Sequence, residues 1–211
     1  MSRPKFSIIT PTILRQTANR TVASVDAQEF TDYEHLVILD GDVGRIPDGW
    51  RTNKRRIFIR CNERHNDCGA TCRHYAVAQA RGEFVLYIDD DDYYVPEALS
   101  RIAAKAKMHF GVFPIMNGGF YWLKLPPGRN KTATCQIWHR RSIDGKVVAM
   151  PAKQKHYSDD SAWIGDLARR FPYQVIDDHH PLAIVETGHN SSNLPGGPPM
   201  KTLPSLWETG S

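Results

Sequence analysis

Four carboxylates stand side by side in the run Tyr87-Ile88-Asp89-Asp90-Asp91-Asp92-Tyr93. Two like charges about 4 Å apart repel by roughly 4 kcal/mol at an effective dielectric near ~20. An acidic island of this kind is therefore costly unless something cationic sits in it. Hard divalent cations prefer carboxylate oxygens, and Mg²⁺ or Mn²⁺ commonly bridges one or two carboxylates to substrate phosphates. The spacing thus points to Mn²⁺- or Mg²⁺-assisted binding of a phosphate-bearing ligand. A calcium EF-hand is disfavoured, because the alternating ligands, central glycine and terminal Glu of that loop are missing.

The elements around the island support this reading. Phe6–Thr10, Leu36–Leu39, Ile57–Ile59 and Phe84–Ile88 are short, apolar runs bounded by polar turns, as expected of strands buried in a parallel sheet. Between them, Asn19–Gln28, Ala70–Ala80 and Pro96–Met108 read as helices, the second stopped at Arg81-Gly82 and the third opened by Pro96. Strands alternating with helices predict an α/β domain with a mostly parallel central sheet. Ligands of such sheets bind beyond the carboxyl ends of the strands. Thr10 and Thr12 after the first strand, and Asp40 and Asp42 after the second, should share that edge with Asp89–Asp92.

Beyond residue 110 the pattern changes. Val112–Met116, Phe120–Leu125 and Thr134–Arg140 read as strands of a smaller mixed sheet, separated by Gly118-Gly119 and Pro126-Pro127-Gly128. The Pro126–Lys131 loop has the composition of a lid. Ser158–Arg170 reads as a helix capped by Ser158, with Asp159 and Asp160 in its first turn. Trp122, Trp138 and Trp163 are expected in the core rather than stacked on a ligand. One domain over 1–190 is expected, followed by a Pro/Gly-rich tail over 191–211.

The 211 residues carry a formal net charge of +4, with 41% hydrophobic and 24% charged residues, which is ordinary globular usage. Basic residues are scattered; Lys54-Arg55-Arg56 is the densest run, so no nucleic-acid partner is expected, while peripheral membrane contact is left open. No apolar run approaches the roughly 20 residues needed to span a bilayer, and no signal-peptide core is visible at the start, so a cytoplasmic protein is expected. Cys68 and Cys72 lie one helical turn apart, but no second close pair completes a zinc knuckle; with Cys61 and Cys135 they read as reduced thiols.

The stretch from Gly69-Ala70-Thr71-Cys72-Arg73-His74 through Ala80-Arg81-Gly82-Glu83, a strand and Asp89-Asp90-Asp91-Asp92 resembles family 2 glycosyltransferases, as does Phe6-Ser7-Ile8-Ile9-Thr10-Pro11-Thr12. The likeness runs over residues 5 to about 108 and is thin afterwards. It implies a GT-A (Rossmann-like) fold, with a nucleotide-sugar-binding half over about 1–110 and an acceptor half over 111–190. It also implies an inverting, metal-dependent transfer from a nucleotide-diphosphate sugar, with a UDP-sugar the first guess, to a saccharide or other hydroxyl acceptor. On the matching positions, Asp91 would touch the metal, with Asp89 and Asp90 supporting it or meeting the ribose. Thr10 would line the base pocket. Asp40 would face the base, although Asp40-Gly41-Asp42 leaves open which acid does so. Arg73 would lie near the phosphates, with His74 where the family usually has Asn. The catalytic base would be Asp160, or Asp159, and His189 would sit near the metal or diphosphate.

Two other readings share some of these features. A sugar-nucleotide nucleotidyltransferase would usually carry a glycine-rich loop after its first strand, and residues 10–20 contain no glycine. A non-catalytic nucleotide-sugar-binding module would not need both Asp91 and Asp160. Neither a dinucleotide-binding G-x-G-x-x-G nor a phosphate-binding G-x4-G-K-[ST] signature is present.

Overall fold

A computed structural model describes residues 3–152 and 159–186. The first part of the chain runs β1 (Phe6–Thr12), α1 (Ala18–Asp26), β2 (Tyr33–Leu39), β3 (Arg56–Arg60), α2 (Ala70–Gln79), β4 (Phe84–Tyr87), β5 (Tyr93–Tyr94) and α3 (Ala98–Lys105). It continues through β6 (Phe110–Val112), β7 (Ile115–Asn117), β8 (Phe120–Trp122), β9 (Ile137–Arg140), β10 (Ser142–Ile143), β11 (Lys146–Val147), α4 (Asp159–Arg170), β12 (Tyr173–Val175) and β13 (Ala183–Val185).

The central sheet has seven strands in the order β12-β6-β9-β4-β1-β2-β3. All neighbours pair in parallel except β9, which is antiparallel to both β4 and β6. A second sheet, β5-β13-β7-β8, is mixed, and β10 with β11 forms a small hairpin. The expected α/β architecture, with a mostly parallel sheet and a smaller mixed one, is therefore present. After β1 the chain moves outward through β2 and β3, then returns to place β4 on the other side of β1. This reversal opens a crevice at the carboxyl ends of β1 and β4.

Every residue of β1, β2 and β4 is buried. The helices contribute apolar faces at helical spacing: Ala18, Val22 and Val25 from α1, and Ala98, Leu99 and Ile102 from α3, are all enclosed. Trp138 on β9 is fully buried, and Gly111 on the neighbouring β6 makes room for it. A Cβ at Gly111 would stand 2.1 Å from the Trp138 ring. Trp163 is also buried, while Trp122 packs at the core margin, in keeping with the expected core roles.

Two expectations are corrected. Val112–Met116 is not one strand: it divides into β6 and β7, which belong to different sheets, with Pro114 between them. Proline has no N–H for a ladder, so the chain changes sheets there. Thr134–Arg140 likewise opens with a 3-10 turn over Thr134–Gln136 before β9 begins. The Pro126–Lys131 loop is tied down at several points. Trp122 Nε1 donates to the Lys131 carbonyl at 2.9 Å, and Asn130 N donates to Ser161 Oγ at 3.2 Å.

His139 is fully enclosed, with Nδ1 2.8 Å from the Arg140 carbonyl and Nε2 2.8 Å from the Tyr87 hydroxyl. A neutral ring satisfies both contacts, and burial pushes its pKa down to about 4 from 6.5. In acid the unfolded chain takes up this proton first, so the contribution is present above about pH 6.5 and is lost as pH falls toward 4. Between pH 6.5 and pH 5 it amounts to about 2 kcal/mol. His139→Gln should therefore flatten the acid side of the stability curve by about that amount. Urea unfolding of both proteins at the two pH values measures the difference. Parallel curves would show that His139 titrates normally.

Candidate active site

The crevice between β1 and β4 is a cleft of about 360 Å³. Its walls come from the ends of three strands and the loops that follow them. Pro11 and Thr12 close β1, Asp40 follows β2, and Asp89–Asp92 follow β4. Arg15, Arg64, Arg73 and Glu186 also line it.

The four acidic residues are folded into one turn, closed by the Asp92 N–H donating to the Asp89 carbonyl at 3.1 Å. Each carboxylate then meets a different neighbour. Asp89 is paired with Arg73, a nearly buried guanidinium that also donates to the Cys68 carbonyl at 2.7 Å. Asp90 accepts from Thr12 Oγ1 at 2.7 Å and lies 3.3 Å from Arg15 Nη1. Asp91 has the same guanidinium at 3.4 Å. Asp92 is buried and accepts from the Glu186 N–H at 3.3 Å.

Asp89, Asp91 and Asp92 bring one oxygen each within 4.8 Å of one another. Crowding marks their protonation. Burial and the charges of Asp89 and Asp90 push Asp91 up to about 6. Burial, followed by Asp89 and Asp91, pushes Asp92 well above the usual carboxylate range. Asp90 is raised too, chiefly by burial, against the opposing hydrogen bond from Thr12. An all-oxygen donor set held in repulsion fits a hard divalent cation.

Arg73 belongs to the first turns of α2, whose N-cap is Gly69. Gly69 has φ +77° and approaches Pro11 so closely that a Cβ would stand 2.7 Å from its ring. Only glycine fits that left-handed, crowded position, which brings α2 against the end of β1. The Arg73 Nε is buried without a hydrogen-bond partner among the described residues.

Asp160 lies in the first turn of α4. Its Oδ2 accepts from Thr134 Oγ1 at 3.0 Å and its Oδ1 from the Ser161 N–H at 2.6 Å. Burial raises its pKa; the Ser161 N–H and Arg73 lower it, and Asp89 raises it. Asp160 therefore feels the charges of the Arg73–Asp89 pair, although it is not among the residues that line the cleft.

Not every expected residue reaches the cleft. Thr10 is fully buried, with Oγ1 3.0 Å from His35 Nε2 inside the sheet, and does not line it. Of the two acids after β2, Asp40 lines the cleft, accepting from the His65 N–H at 3.0 Å. Asp42 turns to solvent, 3.1 Å from Arg60 Nη1. The Asp159 side chain, His189 and the tail over 191–211 lie outside the described residues. The cleft also gains residues that sequence reasoning passed over, Arg15, Arg64 and Glu186, while Asp92, counted in the acidic island but given no role of its own, joins the group that could hold a cation. Only Asp92 had a local signal, its place in the acidic run.

The fold matches solved glycosyltransferases of the GT-A type. A 1–349 fragment of TarS from Staphylococcus aureus, solved with UDP-GlcNAc, superposes with a TM-score of 0.71 at 19% identity, over 90% of this chain and 62% of that one. The mannosyltransferase PcManGT from Pyrobaculum calidifontis, solved with GDP-Man and Mn²⁺, gives a TM-score of 0.65 at 16% identity, over 90% and 59%. A family model described as glycosyl transferase family 2 matches residues 7–121, more than half of the chain, and the chain belongs to that family. The GalNAc(5)-diNAcBac-PP-undecaprenol beta-1,3-glucosyltransferase of Campylobacter jejuni is 32% identical over 107 residues, 49% of this chain and 35% of that protein. The poly(ribitol-phosphate) beta-N-acetylglucosaminyltransferase TarS is 32% identical over 111 residues, 50% of this chain and 19% of its own length. The chain thus spans about a third or less of the length of these two relatives.

Thr12 organises the rim of this cleft: its hydroxyl donates to Asp90 and accepts from the Leu14 N–H at 2.8 Å, where Leu14 takes φ +62°. Thr12→Val strips both partners and should cost about 1–3 kcal/mol in urea unfolding, with Thr12→Ser recovering most of it. A loss of Thr12→Val stability below about 0.5 kcal/mol would mean the rim is held by other contacts.

Proposed function

We propose that this chain is a metal-dependent, inverting glycosyltransferase that moves a sugar from a nucleotide-diphosphate donor to an acceptor hydroxyl. The observation that carries the reading is the convergence of Asp89, Asp91 and Asp92 at a strand-end crevice that Arg73 also lines. Asp89, Asp91 and Asp92 would hold Mn²⁺ or Mg²⁺, with His189 as a further candidate ligand, and the cation would supply charge neutralisation for the diphosphate leaving group. Arg73 adds a fixed guanidinium for the same charge. Asp40 meets the base, and Thr12 and Asp90 shape the ribose end.

Asp160 is the general base, with Asp159 the alternative. Its carboxylate takes the acceptor hydroxyl proton as that oxygen forms a bond to the anomeric carbon. The bond from that carbon to the diphosphate oxygen breaks on the opposite face, and the electron pair leaves with the nucleotide. Burial, which raises the Asp160 pKa, makes it a stronger base than an exposed aspartate, with the Ser161 N–H and Arg73 opposing that rise. UDP is the first nucleotide to test, since solved relatives carry UDP-GlcNAc and, in another case, GDP-Man. Residues 1–110 form the donor half and 111–190 the acceptor half. The protein works in the cytoplasm on a saccharide or other hydroxyl acceptor.

Calorimetric titration with UDP, GDP, dTDP and CDP, each with Mn²⁺ and with EDTA, tests the donor site. One nucleotide should bind only with metal, and Asp91→Ala should abolish this. Binding should also weaken as pH falls through about 6, where Asp91 takes up a proton. No metal-dependent binding by a folded protein would remove the reading. Asp160→Asn should lower turnover by roughly 100- to 10,000-fold while leaving donor affinity nearly unchanged. An equal loss of donor binding would move Asp160 from the base to the donor site.

A further inference from the structure

Behind Asp40 lies a second group of ligating side chains, different in chemistry from the acidic turn. Asp40, Cys61 and His65 bring one ligand atom each within 4.8 Å of one another. Cys72, outside that group of three, has its sulfur 3.6 Å from that of Cys61 and could close on the same ion as a fourth ligand. They come from separate pieces of the chain: the end of β2, the residue after β3, the loop that follows, and the first turn of α2. Sequence spacing paired Cys72 with Cys68, but Cys68 is exposed, and the sulfur facing Cys72 belongs to Cys61.

We propose that Asp40, Cys61, His65 and Cys72 form a binding site for Zn²⁺ that nothing in the donor site requires. Two thiols, an imidazole and a carboxylate are the donor types that zinc takes in four-coordinate sites. Zn–S bonds of about 2.3 Å at tetrahedral angles place two sulfurs about 3.8 Å apart. The observed 3.6 Å is already close to that separation. Asp40 accepts from the His65 N–H through one oxygen and keeps lone pairs for another partner. Because Asp40 also lines the donor cleft, that cleft gives the ion an entry path. The acidic turn offers oxygen alone and suits a harder ion, so the two sites sort metals by softness. Zinc on Asp40 withdraws this carboxylate from the nucleotide, so Zn²⁺ and donor compete; this last step rests on the proposed function, whereas zinc binding does not.

The test uses the full chain, stripped with chelator and kept in a reductant that is not a thiol. Titration with Co²⁺ reads thiolate-to-metal charge transfer and the intense visible bands of tetrahedral cobalt. Displacement by Zn²⁺ then gives the affinity. About one Zn²⁺ per chain is expected, with the thiolate band present. Cys61→Ser, at a half-buried position, should weaken binding by at least tenfold, because even the loss of an outer-shell partner costs about 10–100-fold. Cys72→Ser should do the same, and Cys68→Ser and Asp91→Asn should leave zinc affinity unchanged. Circular dichroism on each variant separates lost binding from lost folding; Cys61→Ser carries the test if Cys72→Ser does not fold. The site is overturned if the thiolate band is absent, if Cys61→Ser binds as wild type does, or if Asp91→Asn removes the zinc. UDP affinity in Mn²⁺ should fall when Zn²⁺ is added. Unchanged UDP affinity would sink the competition alone, whereas no UDP binding even without zinc counts against the proposed function.

Discussion

Asp89, Asp90, Asp91 and Asp92 follow a strand that is buried on every residue, and β4 cannot move without dismantling the sheet. Their mutual repulsion is therefore held in place by the fold rather than relaxed by it. The turn closed from Asp92 N to Asp89 O sends adjacent side chains in different directions. Asp89 is met by Arg73, Asp90 by Thr12 and Arg15, and Asp92 by the backbone of Glu186. Much of what surrounds the cleft can be understood as support for this one crowded turn. Burial first, and the neighbouring carboxylates after it, raise the pKa of Asp90, Asp91 and Asp92.

That support reaches well beyond the neighbouring strands. Thr21 on α1 donates its hydroxyl to the Asp92 carbonyl at 2.7 Å, fastening the first helix to the turn. Arg20, one residue earlier, pairs with Glu186 just past β13. Glu186 in turn presents its N–H to Asp92. The small mixed sheet, through β13 and β5, thereby clamps the far side of the acidic turn. Asp160 on α4 is held by Thr134 and influenced by the Arg73–Asp89 pair. A residue about 70 positions from the acidic run thus shares its electrostatics with it.

The parts legible in the sequence were those written in adjacent residues. The acidic run, the apolar strand before it and the helix after Pro96 could be read directly, although that helix begins at Ala98 and ends at Lys105, and so could the alternation that predicts a mostly parallel sheet. The parts that were hidden depend on partners distant in sequence. β2 begins at Tyr33, three residues before the apolar run suggests, because Glu34 and His35 are buried polar groups. Glu34 is satisfied by Ser7 and Arg81, and His35 by Thr10 and Arg56, none of them local. Thr10 and Thr12 share one face of β1, yet only the last residue clears the sheet edge; two residues deeper, His35 covers the hydroxyl. Asp40 and Asp42 part company at Gly41, whose φ of +83° turns the chain outward. Arg15, Arg64 and Glu186 carried no spacing signal at all. The same holds for Cys61 and Cys72, eleven residues apart and joined only by the fold.

The local charge of the cleft runs against that of the whole chain. The chain is formally +4, yet the cleft lining has six carboxylates (Asp40, Asp89, Asp90, Asp91, Asp92 and Glu186) against three guanidiniums. Two of those guanidiniums, on Arg15 and Arg73, already face carboxylates. A diphosphate entering alone would meet net repulsion from these carboxylates. Protonating Asp91 and Asp92 lessens that repulsion but also removes the attraction for a metal. On the proposed function, a divalent ion held by these carboxylates would offset both terms at once. The electrostatics of the cleft thus agree with the chemistry proposed for it, in which an anionic ligand and a cation would bind together.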